Sequence, residues 1–272
     1  MPFPHGTPMS VDLTHQTRIG FRNARFSRCP GAWVTALELD GVSKTFRRGR
    51  SHLEALVHVD LRVAPGELVS VSGGRRSGRS TLMRVAGGLL APDAGVVRVE
   101  GVTLDRRNAA TWRRVAVGGT RFLPAHGTLV YEHVMIPLLA LGVSRIDASV
   151  RAHRMLERVG AAQLAMTEPR ELAPGELVRV GLARAVVRKP AVLIMEEPTV
   201  AVGRPEGEAI LGLMRELARS SDLGVLVTVD ESAPITGDDR HLRLEDGQLL
   251  GDPEPADPET TGPPATDTGS ST

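Results

Sequence analysis

An α/β fold is expected from this sequence, built on a parallel sheet with a helical subdomain inserted between its strands. Three observations predict it. Short β-type runs alternate with helical patterns along the chain. The runs Val192–Met195 and Val225–Val229 are nearly continuously apolar, as strands covered on both faces are. Strand-type sequence at either end brackets a helix-rich middle at about 125–188, the arrangement of one layered core carrying an insertion.

Taken in order, Ala36–Asp40, Leu56–Val63 and Leu68–Ser72 read as strands, rich in β-branched and aliphatic residues. A helical pattern follows over Thr81–Leu90, and after the turn around Pro92–Gly95 comes a strand at Val96–Val99. The middle holds one helix at roughly Asp147–Val159, closed by Gly160, and another at Glu176–Arg188, stopped by Pro190. The two apolar strands complete the order, and no internal repeat is present.

Three segments are expected. Residues 1–33 form a flexible basic arm, in which Arg18, Arg22, Arg25 and Arg28 outweigh Asp12 and are interleaved with Phe21 and Phe26. It is either a loose extension or a contact for a membrane surface or partner. Residues 34–251 form the folded domain. From Asp252 to Thr272 there are five prolines and five acids, with no basic and no large apolar residue, so an acidic, disordered tail is expected.

Composition excludes several function classes. The 272 residues carry 33 basic and 32 acidic side chains, a net charge of +1, which gives no bulk attraction to nucleic acid. One cysteine, Cys29, excludes a disulfide framework. No run reaches the roughly 18 apolar residues of a spanning helix; the nearest, Leu129 to Val143, contains Glu132 and His133. With no signal-peptide pattern in the first 20 residues, a cytoplasmic protein is expected. Only Lys44 and Lys189 are lysines, the other 31 basic residues being arginine, so a lysine-to-arginine replacement here is partly a matter of composition.

The strand Leu68–Ser72 runs straight into Gly73-Gly74-Arg75-Arg76-Ser77-Gly78-Arg79-Ser80-Thr81 and then a helix. The pattern Gly, four residues, Gly-Lys-Ser/Thr in a strand–loop–helix setting cradles phosphates on backbone N–H groups, with the hydroxyl on Mg²⁺. Every position fits except the lysine, which is Arg79. Flanking segments carry a wider likeness. Pro65-Gly66-Glu67, Ala86-Gly87-Gly88-Leu89 and Pro92-Asp93-Ala94-Gly95 are followed by Leu172-Ala173-Pro174-Gly175-Glu176 and by Val192-Leu193-Ile194-Met195-Glu196-Glu197-Pro198-Thr199. In this order and spacing, over about residues 36–250, the chain resembles the ATP-binding-cassette ATPases of ABC transporters. Arg114 to Leu138, with Tyr131-Glu132-His133-Val134 and Pro137-Leu138, is most similar to the lipoprotein-release and macrolide-export branch.

That resemblance implies a P-loop NTPase (RecA-like) core with an antiparallel β subdomain and an inserted α-helical subdomain. It also implies ATP and Mg²⁺ as cofactors, and a membrane permease as partner at the cytoplasmic face. Pairing with a second cassette, as homodimer or heterodimer, is implied as well, each ATP lying between one cassette's loop and the other's signature. Phe46 stands where an aromatic residue stacks on adenine, or else it only packs. Ser80 and Glu196 stand at the metal positions, Glu196 replacing an aspartate. Glu197 matches the carboxylate that activates water, or else is a surface carboxylate at a strand end. The strand's alternation is expected to send these two side chains to opposite faces.

Other positions depart from the family pattern. Arg79 keeps the charge of lysine but not its shape and is expected to crowd the phosphates or point outward. Arg75 and Arg76 add positive charge, and Arg76 replaces a glycine at a place where φ > 0 would strain it. Thr120, Gly203 and Val229 replace the glutamine, aspartate and histidine of three switch loops. In the signature, Leu172 and Gly175 stand in register. Ala173 loses a hydroxyl, Pro174 an N–H, and Glu176 is expected to bring negative charge near a polyphosphate. The expectation is a nucleotide-binding subunit with weak or no hydrolysis, structural or regulatory in role. The alternative is an active ATPase whose replacements are compensated.

Overall fold

The structure is a computed structural model that describes residues 28–29, 32–33, 35–49, 51–105, 107–119, 128–230 and 240–251. Most of the basic arm, the whole acidic tail and Thr120 lie outside the described residues.

Arg28–Cys29 (β1) and Ala32–Trp33 (β2) form a small antiparallel pair. Leu37–Arg48 (β3) and Ser51–Val63 (β4) make a long antiparallel ribbon, longer than the sequence suggests because both strands run on into its polar, solvent-facing tip. With Ala94–Val99 (β6) and Val102–Thr103 (β7) they form an antiparallel sheet in the order β4-β3-β6-β7.

The second sheet contains Leu68–Ser72 (β5), Val115–Gly119 (β8), Val192–Glu196 (β9), Gly224–Thr228 (β10), Arg240–Glu245 (β11) and Gln248–Gly251 (β12). Its order is β12-β11-β5-β10-β9-β8, parallel throughout except for the final β11–β12 hairpin. Alternation along these strands feeds two cores. Leu68, Leu193, Met195, Val225 and Val227 pack on one side, whereas Val69, Val71, Ile194, Leu226 and Leu242 pack on the other with the antiparallel sheet. Both faces are covered, which is why the strand sequences lack polar alternation.

Arg79–Ala86 (α1) lies on the side of the antiparallel sheet. It ends four residues before the expected Leu90, because Gly87 and Gly88 follow and Gly88 takes φ +67°. A four-residue turn of helix, Ala109–Trp112 (α2), precedes β8. Between the paired strands β8 and β9 the chain makes an excursion through Val130–Leu139 (α3), Arg145–Arg158 (α4) and Pro174–Val186 (α5), which pack on one another. Arg204–Ser221 (α6) then connects β9 to β10 and covers the sheet face shared with these helices.

Candidate functional site

All five residues of β5 are buried, and the strand lies between β11 and β10, so the loop after it leaves from a fixed point. Close backbone approach demands both glycines that frame the loop. A Cβ on Gly73 would collide with the Leu244 carbonyl of β11, and one on Gly78, which has φ +105°, would collide with the Ala55 carbonyl of β4. Within the loop the Ser77 N–H donates to the Gly74 carbonyl at 3.2 Å. Ser77 is 6% exposed, and its buried hydroxyl has no hydrogen-bond partner among the described residues. Gly74, Arg75, Arg76 and Ser80 are exposed. Arg76 has φ +68°, as its replacement of glycine predicts, at a cost of about 1–2 kcal/mol for a non-glycine residue. The helix α1 begins at Arg79 with no acidic residue in its first turn. The N–H groups of Arg79, Ser80 and Thr81 therefore present the positive end of a helix to whatever the loop holds.

Arg79 does not point outward. Its side chain is 16% exposed and reaches the C-terminal ends of β9 and β10, on the sheet edge from which the loop leaves. There Nη2 lies 3.0 Å from Glu197 Oε1, and Nη1 donates to the Val229 carbonyl at 2.7 Å. Glu197 is not placed by strand alternation. The strand β9 ends at Glu196, and Glu197 has already left it at φ +44°. Its N–H donates to Thr228 Oγ1 at 3.0 Å, from a residue that is fully buried. Thr228 was not singled out from the sequence; only its hydroxyl in an otherwise aliphatic strand marks it. Val229 places its side chain in the core, 1% exposed, while its N–H donates to Val71. At this position the site receives a carbonyl and no side-chain donor.

The ribbon supplies Phe46, which is 38% exposed and so is not a core residue. Lys44 Nζ stands 5.9 Å from the centre of its ring. Asp93 holds this corner, accepting from Lys44 Nζ at 2.6 Å and from the Thr45 N–H at 2.8 Å. The Lys44 ammonium, and then the Thr45 N–H, hold its carboxyl below the ordinary aspartate range.

The signature segment opens α5. Ala173 is the N-cap and Pro174 the first helical residue, where the N–H it lacks would have no intrahelical partner. Glu176 Oε2 folds back and accepts from the Ala173 N–H at 2.9 Å, closing its own helix end. Leu172 and Gly175 are buried, and a Cβ on Gly175 would collide with the Glu206 carboxylate from the start of α6. Gly203, the exposed N-cap of α6, faces open space.

One polar group beneath the loop is absent from the sequence reading. His241 on β11 has Nδ1 3.0 Å from Ser70 Oγ and Nε2 3.1 Å from Ser72 Oγ. Burial lowers its pKa below the ordinary 6.5.

The family model for ABC transporters matches residues 56–200. The chain belongs to the ABC transporter family. Among curated relatives, the lipoprotein-releasing system ATP-binding protein LolD of Hyphomonas neptunium is 33% identical over 221 residues, covering 79% of this chain and 96% of that protein. The macrolide export ATP-binding/permease protein MacB of Azoarcus sp. is 31% identical over 86% of this chain, which spans 36% of that longer protein. Among solved structures, a dimeric ATP-binding cassette in a post-hydrolysis state bound to ADP and Pi superposes with a TM-score of 0.67 at 27% identity, covering 79% of this chain and 98% of that one. The ABC transporter fold expected from the sequence is therefore the fold observed.

Among the described residues no three His, Cys, Asp or Glu side chains gather into a metal site. The oxygen donors Ser80 and Glu196 fit a Mg²⁺ ion that takes its other ligands from phosphate and water.

Proposed function

We propose that this chain is the nucleotide-binding subunit of an ABC transporter, binding ATP in the Gly73–Thr81 loop and hydrolysing it weakly or not at all. It acts as a structural or regulatory partner of a membrane permease at the cytoplasmic face. The observation that carries this reading is the engagement of Arg79 with Glu197: the loop's cation and the carboxylate suited to activating water neutralise one another. Bound Mg²⁺ would supply charge neutralisation between phosphate oxygens, with Ser80 and Glu196 holding it. The backbone N–H groups at the start of α1 orient the phosphates, and Phe46, beside Lys44, offers a face to the base. The carboxylate of Glu197 would have to take a proton from water while paired with a guanidinium. Val229 contributes no donor toward the developing charge, and removal of one such donor typically costs about 10²–10³ in rate.

A partner at the helical region is supported by exposed apolar side chains on and between α3 and α4, including Ile136, Leu141, Ile146 and Val150, with Ile146 79% exposed. No helix among the described residues is long and apolar enough to cross a membrane. A membrane permease and a second cassette, identical or different, would complete the assembly.

The test is Mg²⁺-dependent phosphate release by the purified chain, alone and with its permease. Turnover about 10²-fold or more below that of an intact cassette is expected. Brisk turnover that Glu197→Gln abolishes would establish the second reading, an active ATPase, which retention of Glu197 favours. Arg79→Lys separates the two: a mistuned enzyme gains activity, whereas a site without the switch groups does not.

A further inference from the structure

We propose that the Arg79–Glu197 pair stands in for a terminal phosphate, so that the loop accepts a nucleoside diphosphate and gains nothing from a third phosphate. This rests on the nucleotide reading above and narrows its ligand class. Phosphate loops of this pattern use their basic side chain for the β- and γ-phosphates, while backbone N–H groups hold the inner ones. Here the basic side chain is already satisfied. One nitrogen of the Arg79 fork faces the Glu197 carboxylate at 3.0 Å, and the other donates to the Val229 carbonyl at 2.7 Å.

Like a phosphate, a carboxylate offers this fork an anionic oxygen acceptor, and here one carboxylate oxygen and one carbonyl oxygen together fill it. A third phosphate would therefore exchange one anion for another at Arg79. Withdrawal of the guanidinium would also leave the Glu197 carboxylate and the Val229 carbonyl facing the incoming phosphate oxygens, both repulsive to it. A diphosphate forgoes the β-phosphate contact of the basic side chain but keeps the backbone N–H groups that hold the inner phosphates, and it brings no third phosphate against Glu197. The N–H groups at the start of α1 are not involved in the pair, and Arg75 and Arg76 remain exposed beside them.

The test is calorimetric titration of the full chain with Mg·ADP and with a magnesium complex of a non-hydrolysable ATP analogue. In the unmodified protein the two affinities are expected to lie within about threefold. Glu197→Gln releases the fork, and the preference for the triphosphate should rise about tenfold or more. In an Arg79→Ala background, Glu197→Gln should produce no such rise. Should Glu197→Gln fail to fold, Glu197→Ala removes the same charge and reads the same ratio. An unmodified protein favouring the triphosphate about tenfold, an unchanged ratio in the Glu197 variants, or a rise that persists without Arg79 overturns the proposal while leaving nucleotide binding standing. Absence of binding to either nucleotide by every variant, at millimolar concentration, overturns both readings.

Discussion

Thr228 shows how much a single buried hydroxyl can fix. It accepts the N–H of Glu197, a residue held at φ +44°, and is fully buried. Thr228→Val keeps the shape but leaves that N–H without its acceptor, so urea denaturation should show a loss of about 1–3 kcal/mol. Arg76 makes the opposite prediction. At φ +68° its replacement by glycine relieves about 1–2 kcal/mol of strain, partly offset by about 0.4–1 kcal/mol of added unfolded-state freedom. Arg76→Gly should therefore leave the urea midpoint unchanged or raised, and a lowered midpoint would contradict the strain. At this scale the sequence was informative about residue types and silent about their directions. The replacement of lysine by Arg79 was plain from the pattern, but its route to Glu197 and Val229 depends on strands brought together from distant parts of the chain.

At the scale of elements, the start of α5 is built from residues that look like losses in the sequence. Pro174 occupies the helical position that tolerates it, and Glu176 closes the helix end by accepting from Ala173. Glu176→Ala should cost about 0.5–2 kcal/mol in a chemical melt, whereas Pro174→Ala should cost far less. A reversed order would refute the capping role. The strand β5, the loop and α1 were legible because one contiguous pattern encodes all three. By contrast α6, whose buried Ile210, Leu211, Met214 and Leu217 recur at helical spacing, was readable but not singled out, whereas β8 and the β11–β12 hairpin carried no separate signal. The sequences of these strands mix glycine and charge with apolar residues, as in Val115–Gly119 and Arg240–Glu245, and only pairing with the buried centre of the sheet fixes them as they are.

For the molecule as a whole, the two cores share the parallel sheet, and His241 joins β11 to β5 at its middle through Ser70 and Ser72. Its folded pKa lies below the ordinary 6.5 because burial disfavours the charged ring. Below about pH 6.5 the unfolded chain takes up a proton that the folded one resists. The stabilisation is thus complete above that pH and declines as pH falls toward the folded value. Urea midpoints measured at pH 8 and pH 5 should fall further for the unmodified protein than for His241→Gln; equal falls would dissociate the histidine from the effect. Fold class followed from the sequence because covered strands leave a compositional trace, whereas a histidine bridging two serines leaves none.

The position of β5 between two parallel neighbours, with β8 and β12 at the margins of the sheet, sets a hierarchy of local opening. Amide protons of Val69 and Val71 should exchange with deuterium only when the entire domain comes apart, and those of β8 well before. A ligand seated in the loop would then slow exchange mainly through global stability, while fluctuations of the neighbouring helices proceed on their own clock.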